Sequence, residues 1–351
     1  MGSCNKIINN FLCTHNLTKN NEQVLGVLFY GSRNYNTNNQ NSDIDLLIVT
    51  DSYNNYKGVT YVDGIKIEYF EKNIYDLIEK IDNLEENNDH SLVSIFLNGT
   101  IIFSKNQTLE LLKEEIISRI DLLKKNKKKK GSTPLLNEFL NFFNGLNEKN
   151  NFYDYIYHNL LENIRKVYHK ENGYSSIPSM KTYELYNDID YARKYYCVDL
   201  PDEDFINMYL KLAIEGYDKE HFDIMIDKII HNDAMSFRQY KRIGKNELKY
   251  TSTIVANCVS KVSYFLENNH PIFLHYYYIT LEKIRKLYCN MNDLDDRIGQ
   301  FGFDYDNEFL SLFDECLNGD NKIQSVQKLF DFACKPLNMN YKEYKILEYV
   351  K

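Results

Sequence analysis

The spacing of apolar positions changes partway along the chain and divides it into two parts. Ile7, Ile8, Phe11 and Leu12 recur at helical spacing and predict a short helix. Val24–Tyr30 (VLGVLFY) predicts a buried strand that runs straight into Gly31-Ser32 and an Asn-rich polar stretch. Ile44–Val49 is again almost wholly apolar, which suits a central strand covered on both faces. Asp63-Gly64 between Tyr61-Val62 and Ile65 predicts a tight hairpin, since Asp-Gly tolerates the positive φ that two-residue turns require. A strand over Ile65–Phe70, a helix over Ile74–Leu84 and a short strand over Thr100–Phe103 follow.

From about Leu109 onward the periodicity is almost entirely helical. One break is sharp. Lys124–Lys130 is a nearly pure basic run, followed by Gly131-Ser132-Thr133-Pro134. Like charges repel, and Gly and Pro stop helices, so this reads as a linker rather than a nucleic-acid patch. The boundary is expected at residues 125–134, with domains over 1–125 and 126–351. Within the second, Leu161–Tyr168 (LENIRKVY) recurs as Leu281–Tyr288 (LEKIRKLY). Leu161, Ile164, Val167 and Tyr168 fall on one helix face. Two related bundles, over about 135–235 and 250–351, explain the recurrence; a chance match of amphipathic helices is the alternative.

Composition narrows the class. At 351 residues the chain has the length of about two domains. Its 43% apolar and 26% charged residues allow a real core and exclude a disordered or fibrous chain. No apolar run is long enough for a membrane helix. A net charge of −8 makes nucleic acid a poor default partner and suits cationic small molecules better. Seven Cys, an odd number without a C-x-x-C pair, predict free thiols in a reducing cytoplasm and no zinc site. The start lacks a secretory or myristoylation pattern, and the protein is expected to be cytoplasmic.

The candidate chemistry lies where the first strand ends and the second begins. Gly31-Ser32 is followed, after a polar loop, by Ser42-Asp43-Ile44-Asp45 and an apolar strand. Side chains alternate along a strand, so Asp43 and Asp45 face one side while Ile44 and Leu46 face the core. Two carboxylates so placed repel unless a cation sits between them, and hard divalent cations prefer oxygen ligands. Magnesium commonly combines one or two carboxylates with substrate phosphates. Gly31 lets a phosphate approach the backbone, and Ser32 offers a hydroxyl and an N–H to it.

In that order these residues resemble the signature of the DNA polymerase β-like nucleotidyltransferase superfamily. The resemblance covers roughly residues 20–105. With a helical second half, the layout is similar to the small-molecule branch, such as aminoglycoside and lincosamide nucleotidyltransferases. It implies transfer of a nucleoside monophosphate from a nucleoside triphosphate, ATP first among candidates, to an acceptor hydroxyl, with two Mg2+ ions as cofactors. The acceptor it suggests is a small antibiotic-type molecule. RNA or protein acceptors, and a non-catalytic nucleotide-binding scaffold, are the rivals.

The resemblance also implies a third carboxylate on a later strand. Glu68 is the candidate, with Glu71 and Asp63 as alternatives. Period two places Lys66, Glu68 and Phe70 on one face, and Ile65, Ile67 and Tyr69 on the other. The general base is left between Glu68 and a carboxylate of the helical domain. Ser179 reads as an N-cap with Lys181 in the first helical turn, where an anion would offset the unfavourable dipole. Related enzymes carry a phosphate-binding Lys in their helical domain, which makes Lys181 a triphosphate candidate. Arg165 and His169 are too close in sequence for a nuclease pair and are expected to cap or pair on the bundle surface. His158, His221, His231, His270 and His275 lack metal-ligand spacing and read as structural. The expected fold class is α+β: a small mixed sheet carrying the acids, then an all-helical domain.

Overall fold

The computed structural model describes residues 2–337 apart from 35–41, 53–55, 85–89, 126–139, 142, 147–149, 151, 173, 175–176, 178, 197–199, 229–244, 299–300 and 303. The expected linker, except Lys125, and His231 lie outside the described residues. The chain divides into two compact bodies. Met1–Lys127, Asp190–Val198 and Lys345–Lys351 form one; Lys128–Ile189 and Asp199–Tyr344 form the other.

The first body opens with α1 (Gly2–Thr14), β1 (Val24–Tyr30), β2 (Ile44–Thr50), β3 (Tyr56–Val62) and β4 (Ile65–Asn73). It continues with α2 (Ile74–Asp82), α3 (His90–Asn98), β5 (Thr100–Ser104) and α4 (Thr108–Lys125). The sheet order is β3-β4-β2-β1-β5, so β2 is central, as its apolar run predicts. β2 pairs parallel with β4, and the remaining pairs are antiparallel, giving a mixed sheet. Asp63 (φ 52°) and Gly64 (φ 75°) form the turn between β3 and β4. Both adopt positive φ, the requirement that selects Asp-Gly there.

The alternation of β1 and β2 feeds two cores. Val27, Phe29, Ile44, Leu46 and Ile48 pack with Ile7, Ile8, Phe11 and Leu12 of α1. Leu28, Leu47 and Val49 face the other way, onto residues of α2, α3 and α4 such as Leu77, Phe96 and Leu112. The helix over the first residues is longer than its apolar spacing indicates. β4 continues to Asn73, whose side chain accepts from the Tyr75 N–H and caps α2.

The second body is helical. It contains α5 (Tyr153–Glu171), a 3-10 turn over Ser179–Lys181, α6 (Thr182–Asn187), α8 (Glu203–Glu215) and α9 (Lys219–Asp227). After α10 (Lys245–Glu267) come α11 (Phe273–Met291), α12 (Asn307–Asn318) and α13 (Lys322–Ala333). Between α6 and α8 in sequence, the helix α7 (Ile189–Tyr196) belongs from Asp190 onward to the first body.

The recurring octapeptide sits on α5 and α11, and its contacts recur as well. Glu162–Arg165 and Glu282–Arg285 are both buried ion pairs at i,i+3, with closest separations of 2.7 Å. Tyr157 Oη donates to the Leu212 carbonyl at 2.9 Å, and Tyr277 Oη donates to that of Cys316 at 2.8 Å. Tyr168 stacks on Phe205 and Tyr288 on Phe309, each with ring centroids 3.8 Å apart. Asp202 and Asp306 cap the helices that carry those phenylalanines. A pattern eight residues long in sequence thus extends to a later helix for each copy, α8 for the first and α12 for the second.

Two local expectations are corrected. Ser179 is not an N-cap: its hydroxyl donates to Glu162 Oε1 at 2.6 Å, because a buried carboxylate needs every donor it can reach. Lys181 accordingly precedes α6 instead of lying in its first turn. Arg165 and His169 are not on the bundle surface. Arg165 is sealed against Glu162, and His169 Nε2 lies 2.6 Å from Tyr186 Oη. The structural reading of His158 and His275 agrees with their burial and mutual contact, Nδ1 to Nδ1 at 3.1 Å. Among the described residues, no helix is long and apolar enough to cross a membrane.

Candidate active site

β1 ends at Tyr30, which pairs with Asp45 across the sheet, and Glu68 pairs with Asp45 on the other side. In-register neighbours share a face, so Asp45 and Glu68 project together beside Leu28, Leu47 and Phe70. Asp43 precedes β2 by one residue and falls on the same side. Asp43, Asp45 and Glu68 bring carboxylate oxygens within 4.8 Å of one another. Asp43 and Asp45 are half-buried and Glu68 is buried, at 8% exposure. Of the two alternatives, Asp63 is in the hairpin turn, and Glu71 lies on the opposite face of β4. Burial raises the Glu71 carboxyl above its usual range.

The Gly-Ser corner belongs to the same place. Gly31 has φ +81°, and a Cβ built there would lie 2.0 Å from Asp45 Oδ2. A side chain would be strained by the backbone and would also displace a carboxylate of the cluster. The glycine therefore has a second role that sequence reading did not reach: it makes room for Asp45. Ser32 follows directly on this turn, closed by the Asn34 N–H donating to the Gly31 carbonyl at 3.1 Å.

Neighbouring residues fasten the corner. Arg33 Nε donates to the Ser42 carbonyl at 2.6 Å, tying the residue after Ser32 to the residue before Asp43. Asn34 Nδ2 donates to the Asn98 carbonyl at 2.8 Å, and Thr100 Oγ1 donates to Asn34 Oδ1 at 2.7 Å. These contacts join the end of β1 to α3 and β5. Nothing in the spacing of Arg33 and Asn34 signals them, because their partners are remote or are backbone atoms.

Two lysines stand against the acids. Lys66 Nζ is 2.7 Å from Glu68 Oε1 and 3.7 Å from Asp43 Oδ2. Lys57 Nζ, from β3, is 3.6 Å from Glu68 Oε2 and lies over the Phe70 ring at 4.6 Å. The period of β4 already puts Lys66 on the face of Glu68; the reach to Asp43 depends on the pairing of β2 with β4.

The donor set suits a hard divalent cation. Three carboxylates converge from two strands, no sulfur or imidazole is among them, and an ammonium group already occupies cation-binding space between two of them. Lys181 is on the second body, where its ammonium pairs with Glu184 Oε2 at 2.7 Å.

Comparison with known proteins points the same way for this part of the chain. Residues 14–108 match the family described as Polymerase beta, Nucleotidyltransferase, a span that takes in β1 to β5 and all three acids. The match supports a polymerase β-type nucleotidyltransferase domain at the N-terminal end of the chain. Among solved structures, the chain is similar to a nucleotidyltransferase-like protein from Exiguobacterium sibiricum. The identity is 13% and the TM-score 0.36, over 76% of this chain and 92% of the other. No curated protein matches the sequence.

Proposed function

We propose that this protein transfers a nucleoside monophosphate from a nucleoside triphosphate to the hydroxyl of a small-molecule acceptor, with Asp43, Asp45 and Glu68 holding the metal ions. The observation that carries the reading is the convergence of those carboxylates beside a positive-φ glycine too close to Asp45 for any side chain. In the transfer, the acceptor oxygen forms a bond to the α-phosphorus and the bond to the β-phosphate bridge breaks, releasing pyrophosphate. Divalent cations bound there supply polarisation of the phosphate oxygens and a more acidic acceptor hydroxyl.

The chain's own groups do the rest. Asp43 and Asp45, fixed on either side of Ile44, present oxygens from one strand end. Glu68 presents its own from the parallel neighbour. Gly31 and Ser32 offer backbone N–H groups and a hydroxyl to the triphosphate, as corners of this type readily do. The acceptor proton passes to Glu68, on the carboxylate oxygen that does not hold metal. Lys181 is proposed as a further triphosphate contact, released from Glu184 on binding. ATP is the proposed donor and an aminoglycoside-type antibiotic the proposed acceptor, consistent with the net charge of −8.

The deciding experiment incubates the protein with α-labelled triphosphates, Mg2+ and a panel of aminoglycosides, lincosamides, tRNA and proteins. Label on a small molecule, lost in Asp45→Asn, is expected. Label on RNA or protein alone would replace the acceptor class, and no label on any acceptor would favour a binding scaffold.

A further inference from the structure

The acidic cluster is already partly neutralised from within. Two ammonium groups, those of Lys57 and Lys66, stand against its three carboxylates. Lys66 stands where a divalent cation would have to be, bridging Glu68 and Asp43. Lys57 pairs with Glu68 Oε2 at 3.6 Å. Lys66 thus links acids from both strands.

The way Lys66 is held differs from the buried arginines of the helical body. Arg285 grips Glu282 with two parallel bonds, Nε to Oε2 at 2.7 Å and Nη2 to Oε1 at 2.9 Å, and is fully buried. Lys66 is a point charge on a flexible four-carbon stem, with its side chain 18% exposed. It can leave its carboxylates by rotating, provided another anion receives it.

We propose that Lys66 is an internal counter-cation that a divalent metal displaces from Asp43 and Glu68, and that the phosphate tail of the nucleotide receives its ammonium. This inference rests on the nucleotidyltransferase reading. It makes metal and nucleotide bind as a unit. Metal alone meets a competing positive charge. Nucleotide alone meets three carboxylates. Together, the metal satisfies the acids and the polyanion satisfies the displaced lysine. By linkage, the factor by which nucleotide tightens metal binding equals the factor by which metal tightens nucleotide binding.

The test needs no turnover. Mn2+ binding to the full chain is followed by electron paramagnetic resonance, with and without an α,β-methylene triphosphate analogue, in wild type, Lys66→Met and Lys66→Arg. In wild type the analogue should tighten Mn2+ binding. Lys66→Met should bind Mn2+ alone roughly tenfold more tightly, a difference of ~1.4 kcal/mol. Its tightening by the analogue should shrink by a similar factor. Lys66→Arg, which keeps the charge, should stay near wild type. Thermal melts give a second readout, since the Mn2+-induced rise in Tm should be larger in Lys66→Met. Should Lys66→Met fail to fold, Lys66→Gln carries the same measurements. Equal or weaker Mn2+ affinity in the neutral variant, or an unchanged effect of the analogue, overturns the role of Lys66. Absence of Mn2+ binding by wild type under both conditions would instead overturn the metal reading itself.

Discussion

The protein brings acidic side chains together in two places, and treats them in opposite ways. In the helical body, Glu162 accepts from Arg165 Nε at 2.9 Å, Arg165 Nη2 at 2.7 Å, Ser179 Oγ at 2.6 Å and Tyr209 Oη at 3.1 Å. Burial alone would push its carboxyl up, but Arg165 and Lys166 outweigh that and hold it well below the usual range. Glu282 has the same arrangement, with Tyr155 donating the hydroxyl, and its carboxyl is pulled down to about 2. Each of these acids has a rigid, bidentate and fully desolvated partner. The acids of the sheet body have one another, the flexible ammonium groups of Lys57 and Lys66, and, at Asp43 and Asp45, partial access to solvent. Saturated lone pairs make a structural element, whereas acids held near like charges by a rigid sheet are prepared for a ligand.

Breaking the sheet cluster should separate activity from stability. Asp45→Asn is expected to lower transfer by roughly a thousandfold or more, the scale seen when a transition-state charge stabiliser is lost. Its melting temperature should equal or exceed that of wild type, because a repulsion is removed. A steady-state assay paired with a thermal melt checks both halves; near-wild-type turnover would refute the role of Asp45. Gly31→Ala acts on the same site indirectly and should cost one to two orders of magnitude in kcat/KM, as small misplacements of catalytic groups do, roughly a hundredfold. A fully active Gly31→Ala would show that the contact with Asp45 is unimportant.

The helical acids should show the reverse. Arg165→Met or Arg285→Met leaves a buried carboxylate without its main partner and should destabilise the protein by about 3–5 kcal/mol. The double change Glu162→Leu with Arg165→Leu should recover much of that loss. Denaturant unfolding measures both, and a single variant as stable as wild type would contradict the comparison.

Acid should act on the helical body first through its histidines. Burial lowers the His275 pKa from 6.5 to about 4, and His158 is lowered well below its usual value by burial and by His275. A depressed histidine favours the neutral form in the folded state, so its contribution is complete above pH 6.5 and is lost as pH falls towards 4. The loss at His275 is on the order of 3 kcal/mol. Glu162 and Glu282 extend the decline below the ordinary glutamate range, with Glu282 protonating near pH 2. A melt series from pH 7 to 4 should show the first phase, and it should weaken in His275→Gln. The smallest effect is expected at Lys181, where removal should raise KM for the triphosphate about three- to tenfold, the scale of one charge-assisted contact, with kcat nearly unchanged. An unaltered KM would remove Lys181 from the site.

Much of this was legible in the chain, and the parts that were not share a cause. Asp43, Asp45 and the apolar strand between β1 and β3 could be assigned to faces because a strand alternates with period two. The Asp63-Gly64 hairpin followed from turn stereochemistry. Ser179 was misread because a helix-start pattern uses only local residues, while the buried Glu162 oxygen that claims its hydroxyl lies a helix away. Arg165 and His169 were placed at the surface because charged and polar residues usually are; their burial depends on Glu162 and Tyr186, which sequence spacing cannot bring together.

Local order along the backbone therefore settled which residues form strands and helices, which face each strand residue takes, and that two acids share one face. Tertiary structure decided that Glu68 pairs with Asp45, that Gly31 abuts Asp45 Oδ2, and that Lys66 reaches Asp43. Facing is set by the geometry of a single strand. Register between strands is set by packing of both cores and by turns elsewhere in the chain, so it exists only once the sheet has formed.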